Sequence, residues 1–261
     1  MDIFLLIGII VGLCAVGAGL LMKGASVSIL FSPEAMMVIL VGTIAAVMNS
    51  FPKKELLNIP KILGVIFREK GTEDTAEIIK YIIGLSQETR KNGLLSLESK
   101  IHELSNEFMK LALEMVVDGI EPGYIRQVLV DEIEGMEERH RSGASIFTTA
   151  GGVSPTLGVL GAVIGLIGAL GNLNDTQKLG ESIAAAFVAT LYGIFFGYVI
   201  WHPFASRLKR KSHQEVYNMQ IILEGVLALQ EGQNPKTIEK KLLSMTTPKD
   251  RKRYQETSNM N

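Results

Sequence analysis

Residues 146–170 read IFTTAGGVSPTLGVLGAVIGLIGAL and contain no Asp, Glu, Lys or Arg. At a rise of about 1.5 Å per residue, a helix of this length crosses a hydrocarbon core of about 30 Å. Four of its six glycines fall at 158, 161, 165 and 168, and this spacing places these four on one helix face. Because helices in a membrane associate through close backbone approach, this face predicts packing against another helix, either of the same subunit or of a partner.

Three other stretches of the chain are almost free of charge, although 20% of all residues are charged and 47% are hydrophobic. Each is close to the length of about 20 residues that crosses a membrane as a helix. The second is the shortest and carries Thr43, Asn49 and Ser50, so a buried helix of a soluble protein is its alternative. Together the four stretches predict an all-α integral membrane protein whose spans cover residues 3–22, 34–51, 146–170 and 182–202.

A secretory signal peptide is the alternative for the first span, but the two residues before it, Met1 and Asp2, include no basic residue. We therefore expect this span to be retained. Cys14 lies within it and is the single cysteine, which excludes an internal disulfide bond.

The basic residues are distributed unevenly about the spans. Of 26 Lys and Arg residues, 13 lie in residues 52–145 and 11 lie after the fourth span, whereas Lys23 and Lys178 are alone in the other two loops. Because cytoplasmic loops carry the excess of basic residues, we expect a cytoplasmic helical domain at 52–145. We likewise expect cytoplasmic helices and a tail at 203–261, with both termini in the cytoplasm. The net charge of −1 favours lipid headgroups over nucleic acid as the partner of the basic run at 207–211.

The two cytoplasmic segments show helical periodicity and turn signals, without the alternation typical of strands. Gly71 and Thr72 offer a cap for a helix that ends near Asn92, where Gly93 provides a C-terminal stop. The polar residues from Pro248 onwards are expected to be frayed.

The fourth span repeats the pattern of small residues, because Ala186, Thr190, Gly193 and Gly197 share one face. Thr190 is a hydroxyl on this face, and a hydrogen bond to a carbonyl of its own helix is the ordinary alternative to a functional role. Pro155, at the cytoplasmic end of the third span, removes a backbone hydrogen bond and predicts a kink that is either a static bend or a hinge.

No Asp, Glu, Lys or Arg lies in the apolar core of any span. A proton or sodium path through a bilayer needs an ionisable or strongly coordinating group at depth, so a partner helix must donate a carboxylate if the protein conducts ions. The sequence also lacks a phosphate-binding loop, a nucleophile elbow and metal-spaced histidines, which argues against the common enzyme classes. We therefore expect no catalytic residue, no metal site and no cofactor.

Four motifs stand in order along the chain: RKNGLLSLE at 90–98, SPTLGVLGAVIG at 154–165, AAFVATLYGIFFGY at 185–198 and WHPFA at 201–205. Together they resemble the flagellar motor stator A subunits, which are the MotA, PomA and MotP group of the MotA/TolQ/ExbB superfamily. The resemblance covers nearly the whole chain and is closest to proton-type MotA.

The resemblance implies a ring-forming oligomer in the bacterial inner membrane, a homopentamer of A subunits around the helices of a MotB-type B subunit pair. The resemblance implies further that an aspartate of the B subunit binds the ion and that the assembly converts ion flow into torque on the rotor for swimming. Carried onto this sequence, the resemblance implies that Thr190, Ala162 and Tyr198 line the ion path. It also implies that Pro155 and Pro203 couple ion binding to helix movement.

The resemblance further implies that Arg90 and Glu98, with Glu132 as a weaker third, make charge contacts with the rotor protein FliG. Exposed charges worth under about 1 kcal/mol are the alternative interpretation of these residues. The transported ion is expected to be H⁺, because the motif at Trp201 is more similar to proton-type than to sodium-type subunits. Na⁺ is the alternative.

Two other functions are compatible with the sequence. A proton-driven energiser of an outer-membrane process, of the ExbB or TolQ kind, also surrounds a partner helix that carries an acid. Such energisers resemble three-span molecules with an outside N-terminus, whereas four spans and an inside N-terminus are expected here. The second alternative is a noncatalytic membrane scaffold whose glycine faces only pack helices.

Overall fold

The computed structural model describes residues 3–24, 27–68 and 74–258, and within these ranges the chain forms only helices and turns. The chain divides into two compact units. The span unit lies within residues 1–70 and 140–210, and the polar unit lies within residues 71–139 and 211–261.

Helices follow one another along the whole described chain. From the N-terminus they are α1 (Ile3–Met22), a 3₁₀ turn (Val27–Leu30), α2 (Pro33–Met36), a π turn (Met37–Val41), α3 (Gly42–Ser50), α4 (Lys53–Leu56), α5 (Ile59–Phe67), α6 (Thr75–Asn92), a 3₁₀ turn (Leu94–Leu97), α7 (Glu98–Ile101) and α8 (Glu107–Val117). There follow α9 (Pro122–Leu170), α10 (Thr176–Phe195), a π turn (Phe196–Trp201), α11 (His202–Gln230), α12 (Pro235–Met245) and α13 (Pro248–Ser258).

Four helical runs are long and apolar enough to cross a membrane, which confirms the predicted helical fold with four spans. They are Ile3–Met22, Val27–Ser50, Pro122–Leu170 and Thr176–Gln230.

Local chemistry explains where the spans begin and end. Ser32 caps α2 through its hydroxyl group, and Pro33 occupies the first helical position, where its missing N–H costs nothing. Phe51 is extended before Pro52 and ends α3, as predicted. Asp175 caps α10 because its carboxylate accepts hydrogen bonds from two backbone N–H groups.

The helix of the third span begins well before the apolar stretch. The sequence places the start of this span at residue 146, but α9 already begins at Pro122 and continues without interruption to Leu170. The boundary between the two units falls inside α9, between Arg139 and His140.

The helix of the fourth span likewise continues past residue 202, where the sequence places the end of the span, and runs through Pro203 into α11. A π turn immediately precedes α11, and the N–H of His202 donates to the carbonyl of Gly197, five residues earlier, rather than to that of Tyr198. A proline ring clashes with the carbonyl four residues before it, and that residue is Val199 here. Because a π turn widens the helix at this level, we attribute the uninterrupted helix to it.

The polar unit is held together by a hydrophobic core. Ile82 of α6, Leu113 of α8, Leu129 of α9, Ile222 of α11 and Leu242 of α12 are all fully buried in it. Burial of one such side chain stabilises a fold by about 1.5–3 kcal/mol. Five helices that are distant in the sequence therefore depend on one core.

α6 begins after Asp74, whose carboxylate accepts a hydrogen bond from a backbone N–H in the first turn at 3.2 Å. It ends before Gly93, as predicted, and this glycine has a φ of 82°, a conformation that other residues rarely adopt. The cap predicted at Gly71 and Thr72 lies outside the described residues.

The prediction of a frayed tail from Pro248 is wrong, because residues up to 258 form α13. Tyr254 is buried in the core of the polar unit, and its hydroxyl donates to Glu239 Oε1 at 3.0 Å. Arg253 Nε lies 2.8 Å from Asp74 Oδ2, the carboxylate that caps α6. One aromatic ring and one ion pair therefore order a segment whose polar composition indicates disorder.

An ion cluster joins three helices of the polar unit. Arg126 Nη1 of α9 lies 2.6 Å from Glu224 Oε1 of α11, and Lys241 Nζ of α12 lies 2.6 Å from the other oxygen of the same carboxylate. The hydrogen bond from Arg126, followed by that from Lys241, outweighs desolvation and lowers the pKa of Glu224 below its ordinary value of 4.5. The charged form of Glu224 therefore stabilises the folded polar unit.

We expect Glu224→Gln to lower the free energy of unfolding by about 1 kcal/mol at pH 7, since both cations remain hydrated at the surface. Because the pKa of Glu224 is lower in the folded state, its contribution is fully present above pH 4.5 and is lost as the pH falls further. Thermal unfolding of the full chain in detergent measures this effect. Glu114→Gln, at an exposed position of α8, is the control and should unfold like the unsubstituted chain. If the difference in stability between Glu224→Gln and the unsubstituted chain persisted unchanged as the pH fell below 4.5, it would not come from the charged form of Glu224.

Candidate functional site

The glycine face of the third span packs against the fourth span of the same chain. A Cβ atom placed at Gly158 would lie 2.9 Å from the backbone oxygen of Ala189, and one at Gly161 would lie 2.9 Å from the Cβ of the same alanine. At Gly165 the nearest atom would be 3.0 Å away, whereas Gly168 would meet no neighbouring atom within 4 Å. Of the two alternatives left by the sequence, packing within the subunit therefore applies to Gly158, Gly161 and Gly165.

The fourth span contributes glycines of its own to this interface. A Cβ atom at Gly193 would lie 2.6 Å from the backbone oxygen of Ser154. A Cβ atom at Gly197 would lie 2.9 Å from the backbone oxygen of Gly151 and 2.9 Å from Cγ of Pro155. The two backbones are in direct contact here, so any side chain at these positions must push the helices apart.

Pro155 is half-buried at the centre of this contact. Its ring has no N–H, so the carbonyl of Gly151, four residues earlier, lacks its helical donor. Both that carbonyl and the proline ring lie against Gly197, and the imidazole of His202 packs on Gly151. α9 runs through Pro155 without interruption, and the kink expected there, as a static bend or a hinge, stays a prediction.

Thr190 borders the same contact from the fourth span. It is half-buried, and its Cα would lie 3.3 Å from a Cβ atom at Gly158. Its hydroxyl donates to the carbonyl of Ala186 in its own helix at 3.4 Å, which is long for a bond between oxygens. The hydrogen bond that a membrane threonine ordinarily makes to its own helix is therefore weak here. The hydroxyl of Thr190 remains able to bond to a better acceptor or to an ion.

Ala162 and Tyr198 are the other residues expected along the ion path. Ala162 is half-buried on α9. Tyr198 lies in the π turn with 64% of its surface exposed, and its ring centroid is 5.3 Å from that of His202. Pro203 is the next residue along the chain and is half-buried. The tyrosine ring is thereby held beside the start of α11 and stays open to contact from outside the subunit.

The residues expected at the rotor lie in the polar unit on three different helices. Arg90, in the last turn of α6, and Glu98, the first residue of α7, are exposed, and the described residues offer neither of them an ion-pair partner. Glu132 of α9 is exposed and lies 3.3 Å from Arg139, with both side chains largely in solvent. Such a pair contributes little to stability, so none of these charges is required by the fold.

Sequence reasoning missed a contact between two hydroxyl groups in the span unit. Thr43 of α3 and Ser154 of α9 are both buried, with their side-chain oxygens 3.0 Å apart. Each is a polar residue in an apolar stretch, and such residues often bond across helices in membranes. The sequence shows this signal for each residue separately but not that the second and third spans are neighbours at this level.

Metal ligands do not cluster in the described part of the chain, where no group of three His, Cys, Asp or Glu side chains is placed to hold an ion. Polar groups at the contact between the third and fourth spans include the hydroxyl of Thr190, the carbonyl oxygen of Gly151 and the imidazole of His202.

A model of the MotA/TolQ/ExbB proton channel family matches residues 100–221, which include Pro155, Thr190 and Pro203. Motility protein A of Bacillus subtilis (strain 168) is 49% identical over 256 residues, which are 98% of this chain and 95% of that protein. The chain belongs to the MotA/TolQ/ExbB family. A further relative is the chemotaxis protein PomA of Vibrio alginolyticus, 32% identical over 239 residues, which are 92% of this chain and 93% of that protein.

The fold of the chain is also similar to solved structures of this family. The flagellar MotAB stator complex from Bacillus subtilis matches with a TM-score of 0.89 and 49% identity, covering 95% of this chain and 98% of the other. The structure of C. jejuni MotAB matches with a TM-score of 0.90 and 30% identity, covering 95% and 97%. The family resemblance inferred from the four motifs is thereby confirmed.

We expect Gly193→Ala to destabilise the span unit, because the new Cβ would lie 2.6 Å from a backbone oxygen that cannot move alone. Overpacking of this kind costs about 1–3 kcal/mol. Gly168→Ala is the matched control, since the same methyl group meets no neighbour within 4 Å and carries the same gain in helix propensity. The melting temperatures of the two variants in detergent measure the difference. Equal values would show that the close contact at Gly193 does not hold the spans together.

Proposed function

We propose that the chain is the A subunit of a flagellar stator, which forms an ion channel with a B subunit and converts ion flow into torque on the rotor. The observation that carries this proposal is the likeness to a MotAB stator complex at 49% identity over 95% of the chain. The family is one of channels, and the same whole-chain matches to motility proteins favour a stator over an energiser of the ExbB or TolQ kind. A passive scaffold gives no reason for that likeness.

The B subunit completes the pore by supplying the ion-binding aspartate. The apolar cores of the four spans contain no acid or base of their own. An ion path at this depth requires such a group. In the bacterial inner membrane, with both termini in the cytoplasm, a pentameric ring of these chains surrounds the helices of the B subunit pair.

Thr190, Ala162 and Tyr198 line the path beside that aspartate in this proposal. The weak intrahelical bond of Thr190 and the open ring of Tyr198 support it, since both groups remain available to a partner. Pro155 and Pro203 transmit ion binding to the helices, because one lies at the contact between spans and the other follows a π turn.

The size of the driving force fits this role. One elementary charge that crosses 100 mV gains about 2.3 kcal/mol, which is enough to bias a rearrangement between two packed states. Torque reaches the rotor through Arg90 and Glu98, with Glu132 contributing less, by charge contacts with FliG. Charges at an interface of this kind set register and encounter rate more than affinity.

Substitution of Pro155 or Thr190 by leucine should abolish swimming while the protein still inserts into the membrane. A bulky side chain at Thr190 obstructs the path beside the carboxylate, and loss of the proline restores the helical donor that Gly151 lacks. Swimming in soft agar measures function, and the amount of protein in the membrane fraction, with its co-purifying B subunit, is the control. Normal swimming by either variant would remove that residue from the proposed mechanism.

H⁺ is the transported ion in this proposal, with Na⁺ as the alternative. The motif at Trp201, which is more similar to proton-type than to sodium-type subunits, supports it. Swimming speed with and without sodium, at a fixed membrane potential, is the test. A speed independent of sodium is expected, and a speed that falls to zero as sodium is removed would assign Na⁺ to the path.

A further inference from the structure

Two buried hydroxyl groups touch each other between the second and third spans. Thr43 is 3% exposed and Ser154 is 0% exposed, and Thr43 Oγ1 lies 3.0 Å from Ser154 Oγ. The two residues are 111 positions apart in the chain. Their hydrogen bond therefore joins two spans at a depth where water is not available to either group.

Each hydroxyl also reaches a carbonyl of its own helix. Thr43 Oγ1 lies 2.6 Å from the carbonyl oxygen of Ile39, which belongs to the π turn, and Ser154 Oγ lies 2.9 Å from the carbonyl oxygen of Ala150. Two hydroxyl hydrogens are thus shared among three contacts. Two arrangements keep the bond between the spans, and in a third each hydroxyl donates to the carbonyl of its own helix. These arrangements interconvert by rotation about the C–O bonds, with no movement of the heavy atoms.

Ser154 immediately precedes Pro155, so one turn of α9 is held from two sides. Consecutive helical side chains point about 100° apart. The hydroxyl of Ser154 contacts the second span through Thr43, while the ring of Pro155 contacts the fourth span at Gly197. The backbone oxygen of Ser154 also faces the fourth span, where it lies against Gly193. The turn can therefore move relative to one neighbour only by straining its contact with the other.

We propose that the Thr43–Ser154 pair is a positioning element that transmits movement of the Pro155 turn to the second span. This inference rests on the proposed function, in which Pro155 couples ion binding to helix movement. The hydrogen bond fixes the register between the turn and the second span. When the register changes, each hydroxyl can donate to the carbonyl of its own helix, so neither buried hydroxyl is left unbonded. Torque then depends on the pair although neither residue lines the ion path.

A purely structural role for the pair makes a different prediction. Removing one hydroxyl leaves its partner with fewer bonds, whereas replacing both by apolar groups of similar shape is close to neutral for stability. If the pair only stabilises the fold, the double replacement should restore whatever a single replacement loses. If the pair positions the Pro155 turn, the double replacement should remain defective.

The test uses the full chain, expressed with its B subunit in cells that lack their own A subunit. Thr43→Val, Ser154→Ala and the double variant are compared by torque per bound stator unit, from bead rotation and fluorescent counting of units at the motor. We expect torque per unit to fall about fivefold in all three variants, as for the loss of one ordinary hydrogen bond from the step that limits rotation. The double variant should be no worse than the single ones, because the residues act together. Thr43→Ser, which keeps the hydroxyl, should restore most of the torque.

Two hydroxyl groups on the same helices provide matched controls. Thr148 of α9 bonds to the carbonyl of Ala144 at 3.2 Å, and Ser50 of α3 bonds to that of Ala46 at 2.7 Å. Thr148→Val and Ser50→Ala should leave torque per unit unchanged, since these hydroxyls do not join two spans.

Three results would overturn the inference. They are full torque in the double variant, an equal loss in the controls, and absence of the double variant from the membrane or the motor, which would limit the pair to folding. Failure of the unsubstituted chain to drive rotation with its B subunit would contradict the proposed function itself, and the inference with it.

Discussion

The direct backbone contact between the third and fourth spans is the constraint on which the span unit depends. A membrane provides no hydrophobic force between helices, so their association relies on dispersion and a few polar groups. Dispersion is so short-ranged that a gap of about 0.5–1 Å forfeits a quarter to a half of it. Gly158 and Gly193, whose Cα atoms approach each other closely, therefore fix where the two helices cross. The crossing in turn places Pro155 against Gly197 and Thr190 beside Gly158.

Irregular turns lie beside this contact, and the proposed movement of the helices relies on them. Backbone groups in a membrane must be satisfied within the protein, at a cost of several kcal/mol for each failure. The π turn of the second span meets this demand partly through the hydroxyl of Thr43, and the π turn before Pro203 does so through the bond from His202 to Gly197. In a helix of this kind the backbone hydrogen bonds already depart from the regular pattern. Such a helix is expected to shift register at a lower cost in free energy than a regular one. Rigid packing and adjustable turns thus lie side by side in the span unit.

Features that a single stretch of sequence determines were predicted correctly. Features that depend on contacts between residues distant in the sequence were not. The four spans follow from hydropathy alone, and the stop at Gly93 follows from one residue's backbone freedom. The spacing of glycines identified a helix face but not its neighbour. Pro203 lies within a continuous helix because the π turn accommodates it, which the span boundary at residue 202 did not show. The polar tail, predicted to be frayed, is ordered because Tyr254 reaches a core built from other helices. The pairing of Thr43 with Ser154 could not be predicted, because each stretch of sequence shows only one of the two hydroxyl groups.

The apolar cores of the four spans contain no acidic residue, which suits a motor better than a carboxylate on every subunit would. In the proposed ring of identical chains, each subunit presents the same Thr190 and the same Pro155 turn to the partner's carboxylate. Symmetry makes these encounters equal in energy, so one charged group can pass from subunit to subunit without a preferred resting place. A carboxylate fixed in each A chain would instead bind its ion locally. Every subunit would then have to bury a carboxylate at the same time. Placing the charge on the partner and the adjustable turns on the ring therefore lets a small electrical energy select the next of several equivalent positions.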